Sequence, residues 1–210
     1  MPQERAMLQN SKSTFGWVTI ILHWLIAMSI LGLLALGFVM RRLSLDPALQ
    51  FSLYQWHKSF GFTVLALAAL RAVWHVLDRQ PQAPSGLSVL ERRAARTTHA
   101  ILIGLTIAVP LAGWAVASTS TLNIPSFYFD WFVISHLPMA KSEAAESFWT
   151  STHAILAYAT LALVALHAMA ALYHHMVRRD EVLVRMLPTR LLRRGEVEKT
   201  KGSQVIAKRK

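Results

Sequence analysis

The sequence predicts an all-α integral membrane protein, a bundle of four spanning helices. Three observations predict it. Of 210 residues, 54% are hydrophobic and only 16% charged, a balance more apolar than that of water-soluble domains. The apolar residues gather into four long stretches, each near the length of about 20 residues that crosses a bilayer. The last of these, Trp149–Val177, contains no Asp, Glu, Lys or Arg, yet it holds four histidines.

Residues 1–15 form a short polar arm without the small-residue cleavage site of a signal peptide. No fixed charge occurs between Lys12 and Arg41, so the first span is expected at about Gly16–Met40. After a connection with Arg41, Arg42, Asp46 and Pro47, the second span is expected at about Leu53–Leu77. It is the weakest by hydropathy, because Lys58 and Arg71 interrupt it. It is kept because an ionisable group inside a span marks function more often than it rules out a span. Residues 78–98 read as a loop, with the turn-rich run PQAPSG and a short surface helix around Glu91–Arg96. The third span is expected at about Thr97–Ala117, with His99 near its start. Ser118–Ser147 is the longest loop, and its aromatic patch FYFDWFVISHLP suits the headgroup level. The fourth span, Trp149–Val177, leads into a basic tail, 178–210, expected to be poorly ordered beyond Pro188. The chain thus divides into an arm (1–15), a membrane domain (16–177) and a tail (178–210).

The formal net charge is +11. The basic residues lie beside the apolar runs and form no nucleic-acid-binding module, so topology and anionic lipid account for them. Lys and Arg concentrate in the arm, the 78–98 loop and the tail, which share one side of a four-span topology. Both termini are therefore expected in the cytoplasm. Cysteine is absent, which excludes disulfides, cysteine-ligated iron–sulfur clusters and covalent haem attachment through CxxCH.

The nine histidines carry the chemistry. His153 and His167 are fourteen residues apart, which places them on one face of a helix and about 21 Å apart along it. With spans running alternately, His57 matches the depth of His153 on the outer side. His23 matches His167 on the inner side. A porphyrin-bound iron has two axial positions on opposite faces, and one imidazole from each of two helices fills them. The expected ligand pairs are therefore His57–His153 and His23–His167, two stacked haem sites. His75, His99, His174 and His175 read as too shallow, and His136 as lying in the outer loop. Tetrahedral zinc would need three or four ligands together rather than two separated pairs. Arg71, fourteen residues after His57, is placed to pair with a haem propionate at the inner level or to snorkel to the headgroups. Gly61, four residues after His57, leaves room for a porphyrin or for a close helix neighbour.

The motifs ILHW at His23, QWHKSFG at His57, the following Arg71, STHA at His153, LHAMAALYHH from His167 and the closing VLVRMLP together resemble the bacterial cytochrome b561 family over about residues 14–188. The resemblance implies a membrane four-helix bundle with two b-type haems and electron exchange with quinone. Some similar members are superoxide oxidases, which pass an electron from periplasmic superoxide to ubiquinone. In that group a histidine seven residues after the inner ligand lies near the quinone, which here is His174. The outer side of this chain carries charges that roughly cancel, so a basic funnel for an anion is not visible in the sequence.

The expected function is a di-haem cytochrome b that carries electrons between a periplasmic donor and membrane quinone. It is expected to act alone, as a homo-oligomer or with a larger redox subunit. Two alternatives stand beside it: a cytochrome b anchor subunit of a hydrogenase or dehydrogenase complex, and a haem-free, histidine-lined metal transporter.

Overall fold

The computed structural model describes residues 7–83 and 86–187. Residues 1–6 of the arm, Pro84 and Ser85 of the turn-rich run, and the tail from Pro188 onward lie outside the described residues. Four helices dominate: α1 (Trp17–Arg42), α2 (Pro47–Leu77), α3 (Val89–Thr119) and α4 (Glu143–Tyr173). Each is long and apolar enough to cross a membrane. Most of their large side chains, such as Leu25, Met28, Leu70, Ile155 and Met169, face outward, as they do where lipid replaces water as the solvent.

Three spans start earlier than their hydropathy indicates, because polar caps set the first turn. Asp46 accepts hydrogen bonds from the Ala48 and Leu49 amides, with Pro47 at the first helical position. Ser88 and Glu91 form a reciprocal capping box. Nothing breaks the helix between Glu91 and Thr97, so the expected surface helix and the third span are one element. His99 is therefore ten residues inside α3 rather than near its start. Ser142 caps α4 through the Ala145 amide. Beyond Tyr173 the chain widens into a π-helical turn, His174–Arg178, which ends at Arg179 in the left-handed region.

The helices pack in chain order, α1 on α2, α2 on α3 and α3 on α4. The α2 and α3 helices bring small side chains inward, including Ala68, Ala112 and Ala115, which lets membrane helices approach closely. By contrast, the backbones of α1 and α4, and of α2 and α4, hardly touch.

The outer loop folds into a two-stranded hairpin, β1 (Ser126–Tyr128) and β2 (Phe132–Ile134), antiparallel with Phe127 opposite Val133. Phe129 and Asp130 both take positive φ at its tip, the geometry of a type I′ turn. The stretch around His57 grips this hairpin. Gln55 and Lys58 donate to the Pro125 carbonyl at 3.2 and 2.9 Å. The Ser59 hydroxyl donates to the Phe127 carbonyl and accepts from the Phe129 amide. At 100° per residue, Gln55, Lys58 and Ser59 lie on the side of α2 opposite His57. The hairpin therefore backs α2 and leaves the His57 face to the bundle interior.

At the other end, polar contacts tie the arm, the 78–88 loop and the segment after α4 together. Asn10 donates its amide to Asp78 and accepts from the Gly16 amide and the Thr19 hydroxyl. Trp24 donates to the Met186 carbonyl at 2.8 Å, and Arg185 donates to the Gln82 carbonyl.

Candidate functional site

Helix geometry sets the depth of each candidate ligand. His57 lies ten residues after Pro47 and His153 ten after Glu143, at the ends of α2 and α4 that share one side of the bundle. His23 lies six residues after Trp17, and His167 six before Tyr173, at the opposite end. Each matched pair meets. The His57 and His153 ring centres are 6.2 Å apart with planes 79° apart. Those of His23 and His167 are 6.3 Å apart with planes 70° apart.

These spacings suit a metal between the rings. A bond of about 2.0 Å from metal to imidazole nitrogen on each side, plus about 1.1 Å from nitrogen to ring centre, puts the two centres about 6.2 Å apart. The helices that carry each pair, α2 with α4 and α1 with α4, are among those whose backbones stand apart, which leaves room for a flat group. A Cβ built on Gly61, beside His57, would meet nothing within 4 Å. The polar state of the rings agrees. His23 and His57 bury an Nδ1 without a partner among the described residues, whereas His153 Nδ1 lies 3.0 Å from the Val109 carbonyl. A carbonyl only accepts, so His153 carries its proton on Nδ1 and leaves Nε2 free as a ligand. Among the described residues, no three His, Asp or Glu side chains gather into a metal-holding group. Two opposed imidazoles per site, with a gap between helices, fit a haem.

Arg71 lies six residues before the end of α2, at the level of His23 and His167. Its charge acts on His23, His99 and His167. It has no carboxylate or hydrogen-bond partner among the described residues.

A sequence-family model described as prokaryotic cytochrome b561 matches residues 14–189. The chain belongs to that family. Haem b binding comes with membership, as does residence in the bacterial inner membrane as a multi-pass cytochrome. The chain is 29% identical over 178 residues to cytochrome b561 homolog 2 of Escherichia coli, covering 85% of this chain and 93% of that protein. It is 28% identical over 132 residues to a probable superoxide oxidase, CybB, of Yersinia pestis, covering 63% and 73%. It is 33% identical over 100 residues to cytochrome b561 homolog 1 of Escherichia coli, covering 48% and 54%.

Within this cytochrome, several site features escape the sequence. The His99 ring lies 5.2 Å from that of His167, so His99 belongs to the inner site and is not shallow. The capping box Ser88–Glu91 was the signal for it, because it sets the start of α3. Gly37 faces the His57 ring, and Gly113 faces the His153 ring. His174 Nδ1 bonds the Asp180 carboxylate at 2.5 Å. Burial raises the pKa of this carboxyl, but the His174 and Val182 contacts outweigh it and hold the group below the usual carboxylate range. A cavity of about 610 Å³ opens at the rim between α1 and α4, lined by Arg41, Glu143, Glu146, Ser147, Thr150 and Tyr158 among others.

Proposed function

We propose that the chain is a di-haem cytochrome b that carries electrons across the membrane between an outer-side donor and quinone at the inner side. The observation that supports it most is the pair of facing histidine couples, 6.2 and 6.3 Å between ring centres, at matched depths near the two ends of the bundle. In this reading His57 and His153 hold the outer haem, and His23 and His167 the inner one. Each haem b supplies one-electron iron chemistry, and bis-imidazole ligation favours electron transfer over binding of a further ligand. The Lys and Arg residues of the arm, of residues 78–98 and of the tail support a topology with both termini in the cytoplasm.

The chain's own residues then have distinct tasks. Arg71 offers its guanidinium, which has no partner among the described residues, to a propionate of the inner haem. Gly61 leaves the space that an outer porphyrin edge would take. His174, seven residues after His167, stands beside the inner site and contacts quinone. Its Nδ1 faces Asp180, so Nε2 is the atom turned to the substrate. The pair can accept a cytoplasmic proton and pass it on as quinone is reduced.

The outer cavity at Arg41 is the entry that the donor would use. Similarity to a probable superoxide oxidase makes superoxide the first donor to test. Arg41 is outnumbered there by Glu143 and Glu146, which does not concentrate an anion, so a neutral reductant belongs in the same assay. The deciding experiment is a reduced-minus-oxidised spectrum of the detergent-purified protein, with haem counted per chain, followed by reoxidation with a soluble ubiquinone analogue. Two low-spin b haems that the quinone reoxidises are expected. A single haem, or reduced haem that quinone leaves untouched, would overturn the corresponding half of the proposal.

A further inference from the structure

The two ligands of the outer pair are held differently. A Cβ built on Gly113 would sit 3.1 Å from His153 Cε1 and 3.3 Å from its Nδ1, tighter than ordinary contact. The neighbour it would press on is a ring with its own partner, since Nδ1 lies 3.0 Å from the Val109 carbonyl. Val109 is four residues before Gly113, one turn of α3. One turn therefore provides both the space and the acceptor. His57 has no equivalent: its Nδ1 is buried without a partner among the described residues, and Gly37 stands back at 3.5 Å.

We propose that Gly113 is a positioning residue for the outer haem: its missing side chain lets His153 seat against the Val109 carbonyl, which fixes the Nδ1–H tautomer and aims Nε2 at the iron. This rests on His57 and His153 being the outer ligands. The hydrogen bond draws positive charge off the imidazole and makes it the better donor of the pair, so α4 supplies the firm axial ligand and α2 the softer one. Strengthening one ligand in this way favours ferric iron. Loss of the bond raises the outer haem's midpoint potential.

Two experiments on the full-length purified protein test it. In the first, Gly113→Ala is compared with Gly32→Ala and Gly104→Ala, whose added methyls meet nothing within 4 Å. The expected result is that Gly113→Ala alone loses the outer haem or raises its midpoint potential, with the inner haem unchanged. Two haems at wild-type potentials in Gly113→Ala overturn the proposal. The second does not depend on Gly113→Ala folding. His153→Gly and His57→Gly proteins are supplied with free imidazole or with thiazole, which places sulfur where imidazole has N–H. The preference for imidazole over thiazole, read from recovery of the low-spin outer haem spectrum, is expected to be about tenfold larger in His153→Gly, the factor one hydrogen bond supplies. Equal preference in the two proteins overturns the proposal. Wild-type haem content and low-spin spectra in both glycine variants before ligand is added instead refute the ligand reading beneath it.

Discussion

Replacing each of the four paired histidines by alanine, one at a time, gives the sharpest test of the site. His153 and His167 are fourteen residues apart on α4, about 21 Å along its axis. Removal of one ligand therefore leaves the other site beyond contact range. On the proposed pairing, one haem would lose one of the two imidazoles that hold it, and would either leave or turn high-spin. Haem per chain should fall from about two to about one, or the low-spin signal should halve. The pairing makes a stronger demand than the count. His57→Ala and His153→Ala must lose the same haem, identified by its midpoint potential in a redox titration. His23→Ala and His167→Ala must both lose the other. Pyridine haemochrome quantification, visible spectra and potentiometry suffice. If His57→Ala and His23→Ala removed the same haem, the matched-depth reasoning would be wrong even with two haems present. Loss of both haems in every variant would mean that the bundle needs haem to hold together, and the pairing would then rest on potentials measured in partially loaded protein.

Three further outcomes are expected. Arg71→Gln removes a positive charge beside the inner site and should lower the inner midpoint potential while the outer one stays; each ~59 mV of a one-electron couple is a factor of ten, about 1.4 kcal/mol, and an unchanged inner potential would assign Arg71 to the headgroups. Ser59→Ala strips the buried hydroxyl that joins α2 to the Phe127 carbonyl and the Phe129 amide, and should cost about 1–3 kcal/mol, read as a lower melting temperature and faster proteolysis of the 126–134 hairpin. Asp180 is held with a lowered pKa, so its contribution is present above its unfolded value of about 4 and fades as pH falls through the folded value; Asp180→Asn should remove that acid dependence, and it should slow quinone reoxidation of the reduced inner haem, with wild-type kinetics across pH refuting a role for the His174–Asp180 pair.

Much of this was legible because membrane helices write plainly. Charge-free runs locate three of the four spans, and fourteen residues between His153 and His167 place both on one face whatever the exact helix ends. The matched depths of the pairs tolerated the errors in those ends: His57 is ten residues inside α2 rather than one turn, but His153 shifted by a similar amount. His99 differs for the opposite reason. The apolar run alone gives it a shallow depth, whereas the helix begins with a polar, capped first turn at Val89. Hydropathy reports where lipid contact begins, while capping reports where the helix begins, and these differ by two turns in α3. Gly113 was visible only as a glycine in a span. Its role depends on which ring faces it, and that is a tertiary fact. The His174–Asp180 contact likewise needs the π-helical turn and the left-handed Arg179, neither of which has a firm local signature.

The weakness of the second span follows from its tasks. Its Gln55, Lys58, Ser59 and Thr63 hold the hairpin on one side, while His57 and Arg71 face the interior on the other. A helix used on both sides cannot be apolar all round. Lys58, which reads as an intramembrane charge, reaches the Pro125 carbonyl at the outer edge, so its charge need not be buried in hydrocarbon. Arg71 is different, because nothing among the described residues answers its charge. A cation kept at that depth without a protein partner is costly, and a propionate-bearing cofactor is the chemistry that would offset it. Arg41 also runs against the positive-inside bias, but it shares the outer cavity with Glu143 and Glu146, so carboxylates already lie beside its charge. Of the charges that fit the topology rules badly, Arg71 is thus the one that calls for a cofactor.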